Sequence, residues 1–232
     1  MGTMKKIVIL HGWAHEHTKW VPFVNQLIRQ GFDIKLLNIP GLTAPLNEIW
    51  KLDNYVQWLH ENLFSENEPV VLLGHSNGGR IALAYCAKYL QKISHLILID
   101  SAGIYHKELT LRLKRFIFGI FARIGKKLTS SPTLRRILYR LAGETDYYQA
   151  NPIMRQTMIN LSFDLTHILP RIHVPTLIIW GRQDKITPLS DSKKMHNLIK
   201  NSTLHIVDGA HHSPQFTHKE EVTKIIKQSL DT

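Results

Sequence analysis

A chain of 232 residues fits one domain, or one domain with a modest insertion. Its hydrophobic share of 44% supports a packed core, and its charged share of 20% excludes a disordered chain. The single cysteine, Cys86, excludes an internal disulfide and a cysteine-based zinc cluster, while the net charge of +11 leaves anionic partners open.

The chain begins Met1-Gly2-Thr3-Met4-Lys5-Lys6 and continues into a short apolar run, Ile7 to Leu10. That run is too short for a signal-peptide core. No other stretch reaches the roughly 18 apolar residues that a membrane-spanning helix requires. The expected location is therefore the cytoplasm.

Ile7 to Leu10 reads as a buried strand. Ile34 to Ile39, Val70 to Leu73, His95 to Ile99, Thr176 to Trp180 and Thr203 to Val207 follow as further strands. They are short, rich in Val, Ile and Leu, and bounded by turn formers, as strands covered on both faces are. Helical patterns separate them. Trp20, Phe23, Val24, Leu27 and Ile28 recur at helical spacing before Gly31, and Leu52, Val56, Leu59 and Leu63 do the same. Gly78 to Leu90 is Ala-rich, and Cys86 within it reads as a small buried apolar residue. Strands alternating with helices predict an α/β fold, a mostly parallel central sheet with helices on both faces.

One segment interrupts the alternation. Leu113, Phe116, Ile117, Ile120, Phe121, Ile124 and Leu128 lie on one helical stripe, and further helices are predicted over Thr133 to Leu141 and Ile153 to Leu161. The expected organisation is a core of residues 1–102 and 171–232, with 103–170 inserted as a helical lid. The insertion is strongly basic. Between Lys107 and Arg140 there are ten Lys or Arg and one acidic residue, Glu108.

The strongest chemical signal is Gly74-His75-Ser76-Asn77-Gly78-Gly79, between the third strand and a helix. This is the setting of a nucleophile elbow, a turn so tight that Gly74 and Gly78 are needed beside the serine. A serine hydroxyl is a poor nucleophile at neutral pH. It needs a base to take its proton and a carboxylate to orient that base. Asp184 lies in the loop after the fifth strand, where such an acid belongs, and Asp100 at the end of the fourth strand is the alternative. Two adjacent histidines, His211 and His212, follow the last strand as candidate bases.

With these motifs in place the chain resembles the α/β-hydrolase family, from Lys6 to about Leu230. Members carry a small-residue stretch, then His, one residue and Pro. His212-Ser213-Pro214 matches and leaves His211 in a slot that glycine usually fills. The resemblance thus implies Ser76, Asp184 and His212 as the catalytic residues. It also implies an oxyanion hole from the backbone N–H groups of Asn77 and Trp13, with His11-Gly12-Trp13-Ala14 matching the family's His-Gly pattern and Gly12 allowing close approach. His11 reads as structural, and His15 and His17 as loop residues rather than metal ligands. Leu37-Asn38-Ile39-Pro40-Gly41 departs from the family at Asn38, where aspartate is usual.

The implied reaction is acyl transfer to water on a small or medium carboxylic ester, with no metal or organic cofactor. Thioesters, and carbon–carbon bonds beside a ketone, suit the same residues. The basic amphipathic stretch from Arg112 to Lys127 is a candidate for weak contact with an anionic membrane, which would also suit a non-catalytic lipid-surface protein. No nucleic-acid-binding motif is present, so no nucleic-acid partner is expected. Arg80, just beyond the elbow, reads as a solvated helix residue.

Overall fold

The computed structural model describes residues 4–13, 17–89, 91–105 and 151–231. The Leu113–Leu128 stripe, the helix expected over Thr133 to Leu141 and the basic Arg112–Lys127 stretch lie outside the described residues, as does His15.

Among the described residues six strands form one sheet: β1 (Lys6–Leu10), β2 (Asp33–Leu36), β3 (Val70–His75), β4 (Ile93–Ile99), β5 (Thr176–Gly181) and β6 (Ser202–Val207). Their order is β2-β1-β3-β4-β5-β6, and every neighbouring pair is parallel. The described helices are α1 (His17–Arg29), α2 (Leu52–Phe64), α3 (Asn77–Lys88), α4 (Pro152–Leu161), α5 (Leu189–Leu198), α6 (Pro214–Thr217) and α7 (Lys219–Leu230). A 3-10 turn, Thr166–Arg171, leads into β5.

The strand period of two sorts the apolar residues onto two faces. Ile7, Ile9, Val71, Leu73, Ile97 and Ile99 pack with Trp20, Phe23 and Leu27 of α1 and with Val222, Ile226 and Leu230 of α7. Val8, Leu10, Leu72, Leu96, Leu98 and Ile178 pack on the other face against α2, α3 and Met195 of α5. Cys86 is buried in that second layer.

All six strands form where expected, most of them one or two residues longer, with β4 starting at Ile93 and β3 running on to His75. β2 and β6 depart in ways the pattern does not indicate. β2 ends at Leu36, short of Ile39: the Leu37 N–H still donates to the Ile9 carbonyl at 3.1 Å, and the chain then enters the turn closed on the Ile39 carbonyl. Leu37 and Ile39 are apolar because they enter the core beyond the strand. β6 alternates half-buried and exposed positions before Val207, since it closes one edge of the sheet and is not covered on both faces.

The chain runs from β1 out to β2 and returns to β3 on the opposite side of β1. The carboxyl ends of β1 and β3 therefore flank the point where strand order reverses, the usual site of a crevice in an open parallel sheet. Among the described residues, no helix is long and apolar enough to cross a membrane.

Candidate active site

Ser76 joins β3 to α3 with φ 53° and ψ −119°, in a region that side chains with a Cβ rarely occupy. Holding a residue there costs roughly 1–3 kcal/mol. The surroundings hold it: the Ser76 N–H donates to the Ile99 carbonyl at 3.2 Å, and the Ala102 N–H donates to the Ser76 carbonyl at 2.9 Å. The flanking glycines are sterically required. A Cβ on Gly74 would stand 2.6 Å from the Gly79 Cα, and one on Gly78 would run into the Leu10 carbonyl. A Cβ on Gly12 would lie 2.8 Å from the Ser76 Cβ, so the loop after β1 passes directly beside the serine.

His212, in the loop between β6 and α6, lies between Ser76 and Asp184. Its Nε2 is 3.0 Å from the Ser76 Oγ, and its Nδ1 is 2.8 Å from the Asp184 Oδ2. A carboxylate only accepts, so Nδ1 carries the proton and Nε2 is left to accept from the serine hydroxyl. Ser76 is only 8% exposed and the Asp184 carboxylate is buried, so these bonds are shielded from bulk water.

The buried Asp184 carboxylate is well supplied with hydrogen-bond donors from the protein. Its Oδ1 accepts from the N–H groups of Ile186 at 2.7 Å and Thr187 at 3.1 Å. Its Oδ2 also accepts from the Thr187 hydroxyl at 2.6 Å. Burial opposes its charge. The bonds and charge of His212, then the Thr187 and Ile186 donors, outweigh it and hold the carboxyl below the usual aspartate value.

Asp100, the alternative acid, is differently placed. Its Oδ1 accepts from the Gly181 N–H at 2.8 Å, and its buried Oδ2 has no hydrogen-bond partner. Burial first, and the neighbouring Asp184 charge second, push its carboxyl up to about 8. It is mostly neutral at pH 7 and is not the group bonded to His212. One potential ligand atom each from His75, Asp100 and His212 lies within 4.8 Å of the others. Both ring nitrogens of His212 are already engaged, however, and His75 Nε2 donates to the His212 carbonyl at 2.9 Å. A metal there would have to break the Ser76–His212–Asp184 array.

The two expected N–H donors leave adjacent strands side by side, since Leu10 of β1 pairs with Gly74 of β3. Asn77 is the first residue of α3, where backbone N–H groups lack intrahelical partners and the helix end is partially positive. Trp13 lies three residues beyond Leu10, half-buried against the core. His211 is exposed and bonds the Gln183 carbonyl at 3.1 Å, away from the serine. Arg80 is not solvated: it is 9% exposed, and its Nη1 donates to the Phe163 carbonyl at 2.6 Å. Thr187 and His75 complete the surroundings of the site, and neither stands out in the sequence, where each is a common residue beside a more conspicuous one.

At the switch point of the parallel sheet, a serine on a strained elbow is thus bonded to a histidine that is bonded to an aspartate. The chain belongs to the α/β-hydrolase family described as serine aminopeptidase, S33, whose model matches residues 3–218. It is accordingly a hydrolase. It is 26% identical over 253 residues to the AB hydrolase superfamily protein YisY of Bacillus subtilis, covering 98% of this chain and 92% of that one. It is 21% identical over 249 residues to the pimeloyl-[acyl-carrier protein] methyl ester esterase of Chromobacterium violaceum, covering 100% and 96%. The solved structure of a membrane phospholipase A, a bacterial virulence factor, superposes with a TM-score of 0.75 at 22% identity, covering 98% of this chain and 79% of that one, a likeness of fold.

Proposed function

We propose that this protein hydrolyses a small or medium carboxylic ester through an acyl-enzyme, with Ser76 as nucleophile, His212 as base and Asp184 as the acid that orients it. The observation that carries the reading is the double engagement of His212, Nε2 to Ser76 and Nδ1 to Asp184.

In the first half-reaction His212 Nε2 takes the Ser76 proton as Oγ bonds to the ester carbonyl carbon. The negative charge gathers on the former carbonyl oxygen, and we assign its stabilisation to the N–H groups of Asn77 and Trp13. One such donor is typically worth about 3 kcal/mol in the barrier. The C–O bond to the alcohol then breaks, and the alcohol leaves with the proton held by His212. Water repeats the sequence on the acyl-enzyme: His212 takes its proton, the acid departs and Ser76 regains its hydroxyl. Asp184 stays ionised throughout and stabilises the imidazolium.

We assign residues 103–170 to a lid over this site. The part supporting that assignment is α4, whose Thr157 hydroxyl accepts from the Trp50 N–H at 3.1 Å and whose Asn160 side chain donates to the Trp50 carbonyl at 3.3 Å. These bonds fasten α4 to the segment between β2 and α2, which borders the loop after β1.

Hydrolysis of p-nitrophenyl esters of increasing chain length tests the reading. Wild type is expected to hydrolyse them with a preference set by pocket length, and Ser76→Ala to be inactive. Equal rates for both proteins would refute the assignment of Ser76.

A further inference from the structure

We propose that His11 and Thr43 are positioning residues that aim the Trp13 N–H at the oxyanion, through a one-directional run of hydrogen bonds from the turn after β2. The inference rests on the serine-hydrolase reading and adds to it the means by which the second donor is held.

The run begins in the turn 39–44. The Ile39 carbonyl accepts from the N–H groups of Leu42, Thr43 and Ala44, at 3.0, 3.0 and 3.1 Å. The Tyr55 hydroxyl of α2 donates to the Pro40 carbonyl at 2.9 Å and ties that turn to the core. Thr43 is therefore fixed, and its Oγ1 accepts from the Ile39 N–H at 3.0 Å. The same oxygen lies 2.9 Å from His11 Nε2, and His11 Nδ1 lies 2.9 Å from the Gly12 carbonyl oxygen.

Only one set of proton positions fits a neutral ring. The Gly12 carbonyl can only accept, so Nδ1 bears the hydrogen. Nε2 then has a lone pair, and the Thr43 hydroxyl must donate to it. Burial chiefly, opposed by the bond to Gly12 and helped by the nearby His17, lowers the pKa of His11, which favours this neutral state. The sense of every bond is thus set, from the Ile39 N–H through the Thr43 hydroxyl and the His11 ring to the Gly12 oxygen.

The Gly12 oxygen belongs to the peptide unit that carries the Trp13 N–H. No peptide bond among the described residues is cis, so that C=O and N–H point in opposite directions across one rigid plane. Holding the oxygen on the His11 side directs the N–H the other way. The unit sits beside the serine, where a Cβ on Gly12 would lie 2.8 Å from the Ser76 Cβ. An oxyanion donor is effective only when its direction is set before charge develops. His11 and Thr43 supply that without touching substrate.

The test uses the full chain with p-nitrophenyl butyrate as substrate and butylboronic acid as a mimic of the tetrahedral state. Thr43→Val keeps the side-chain shape and removes the hydroxyl, and Thr43→Ser restores it. His11→Asn keeps a donor near the position of Nδ1. Thr43→Val is expected to lower kcat by roughly tenfold or more with KM within about twofold, and to weaken the boronic acid by the same factor as kcat/KM. Thr43→Ser is expected to return both values to near wild type, and His11→Asn to fall between. A Thr43→Val protein with wild-type kcat and boronic acid affinity overturns the relay while leaving Ser76 in place. Loss in Thr43→Val that Thr43→Ser fails to restore also overturns it. Wild-type activity in Ser76→Ala would instead remove the reading on which the relay stands.

Discussion

The Thr187 hydroxyl donates to Asp184 Oδ2 at 2.6 Å, the same oxygen that accepts from His212 Nδ1 at 2.8 Å. Thr187 therefore helps to keep Asp184 ionised and fixes which oxygen faces the imidazole. Thr187→Val removes that donor at nearly constant volume. It is expected to lower kcat roughly tenfold, as one charge-assisted hydrogen bond is worth about 1.5–3 kcal/mol. Steady-state ester kinetics with a melting curve on the same sample will separate this from unfolding.

The two carboxylates near His212 make opposite predictions. Asp184→Asn presents an amide to Nδ1 and favours the wrong tautomer, so kcat is expected to fall about 10,000-fold. Asp100 is not bonded to His212, and Asp100→Asn is expected to leave kcat within a few fold. The reverse pattern would make Asp100 the orienting acid.

Asp100 also predicts a pH dependence of stability. Its folded pKa of about 8 stands above the ordinary aspartate value near 3.9. Above pH 4 the unfolded chain releases this proton and the folded protein keeps it. Its contribution is full below pH 4 and is lost as pH rises toward 8, with a slope of at most about 1.4 kcal/mol per pH unit. Asn imitates the protonated acid at every pH. The stability of wild type relative to Asp100→Asn, measured by urea titration, is expected to fall between pH 5 and pH 8. A constant difference would contradict the burial argument.

The strain at Ser76 predicts an inversion of the usual glycine penalty. At φ 53° a glycine avoids the Cβ conflict that serine and alanine share. Ser76→Gly is expected to be inactive yet more stable than Ser76→Ala by about 1 kcal/mol, read from denaturant midpoints.

The sheet is legible in the sequence, and so are the three residues that hydrogen-bond geometry brings together around the His212 ring, because each combines local signals. Ser76 lies in a glycine-rich turn between an apolar strand and a helix, and the spacing to Pro214 distinguishes His212 from His211. The helix expected over Ile153 to Leu161 is α4, starting one residue earlier at Pro152, where the Asn151 side chain caps it by accepting from the Met154 N–H. The supporting residues were not legible. Thr43 meets His11 across 32 positions, a contact that exists only after β1 and β2 pair. Thr187 looks like any turn residue until the loop after β5 closes around Asp184. Arg80 reads as solvated from the sequence because one charged residue near a helix start usually is. Its partner, the Phe163 carbonyl, is 83 positions away.

The central claim is that His212 activates Ser76 as the nucleophile. Labelling with a fluorophosphonate, followed by peptide mass spectrometry, tests it most directly. One adduct per chain on the peptide carrying Ser76, formed at least about a hundredfold more slowly in His212→Ala, is the predicted result. An adduct on another residue, or equal labelling rates in the two proteins, would contradict it.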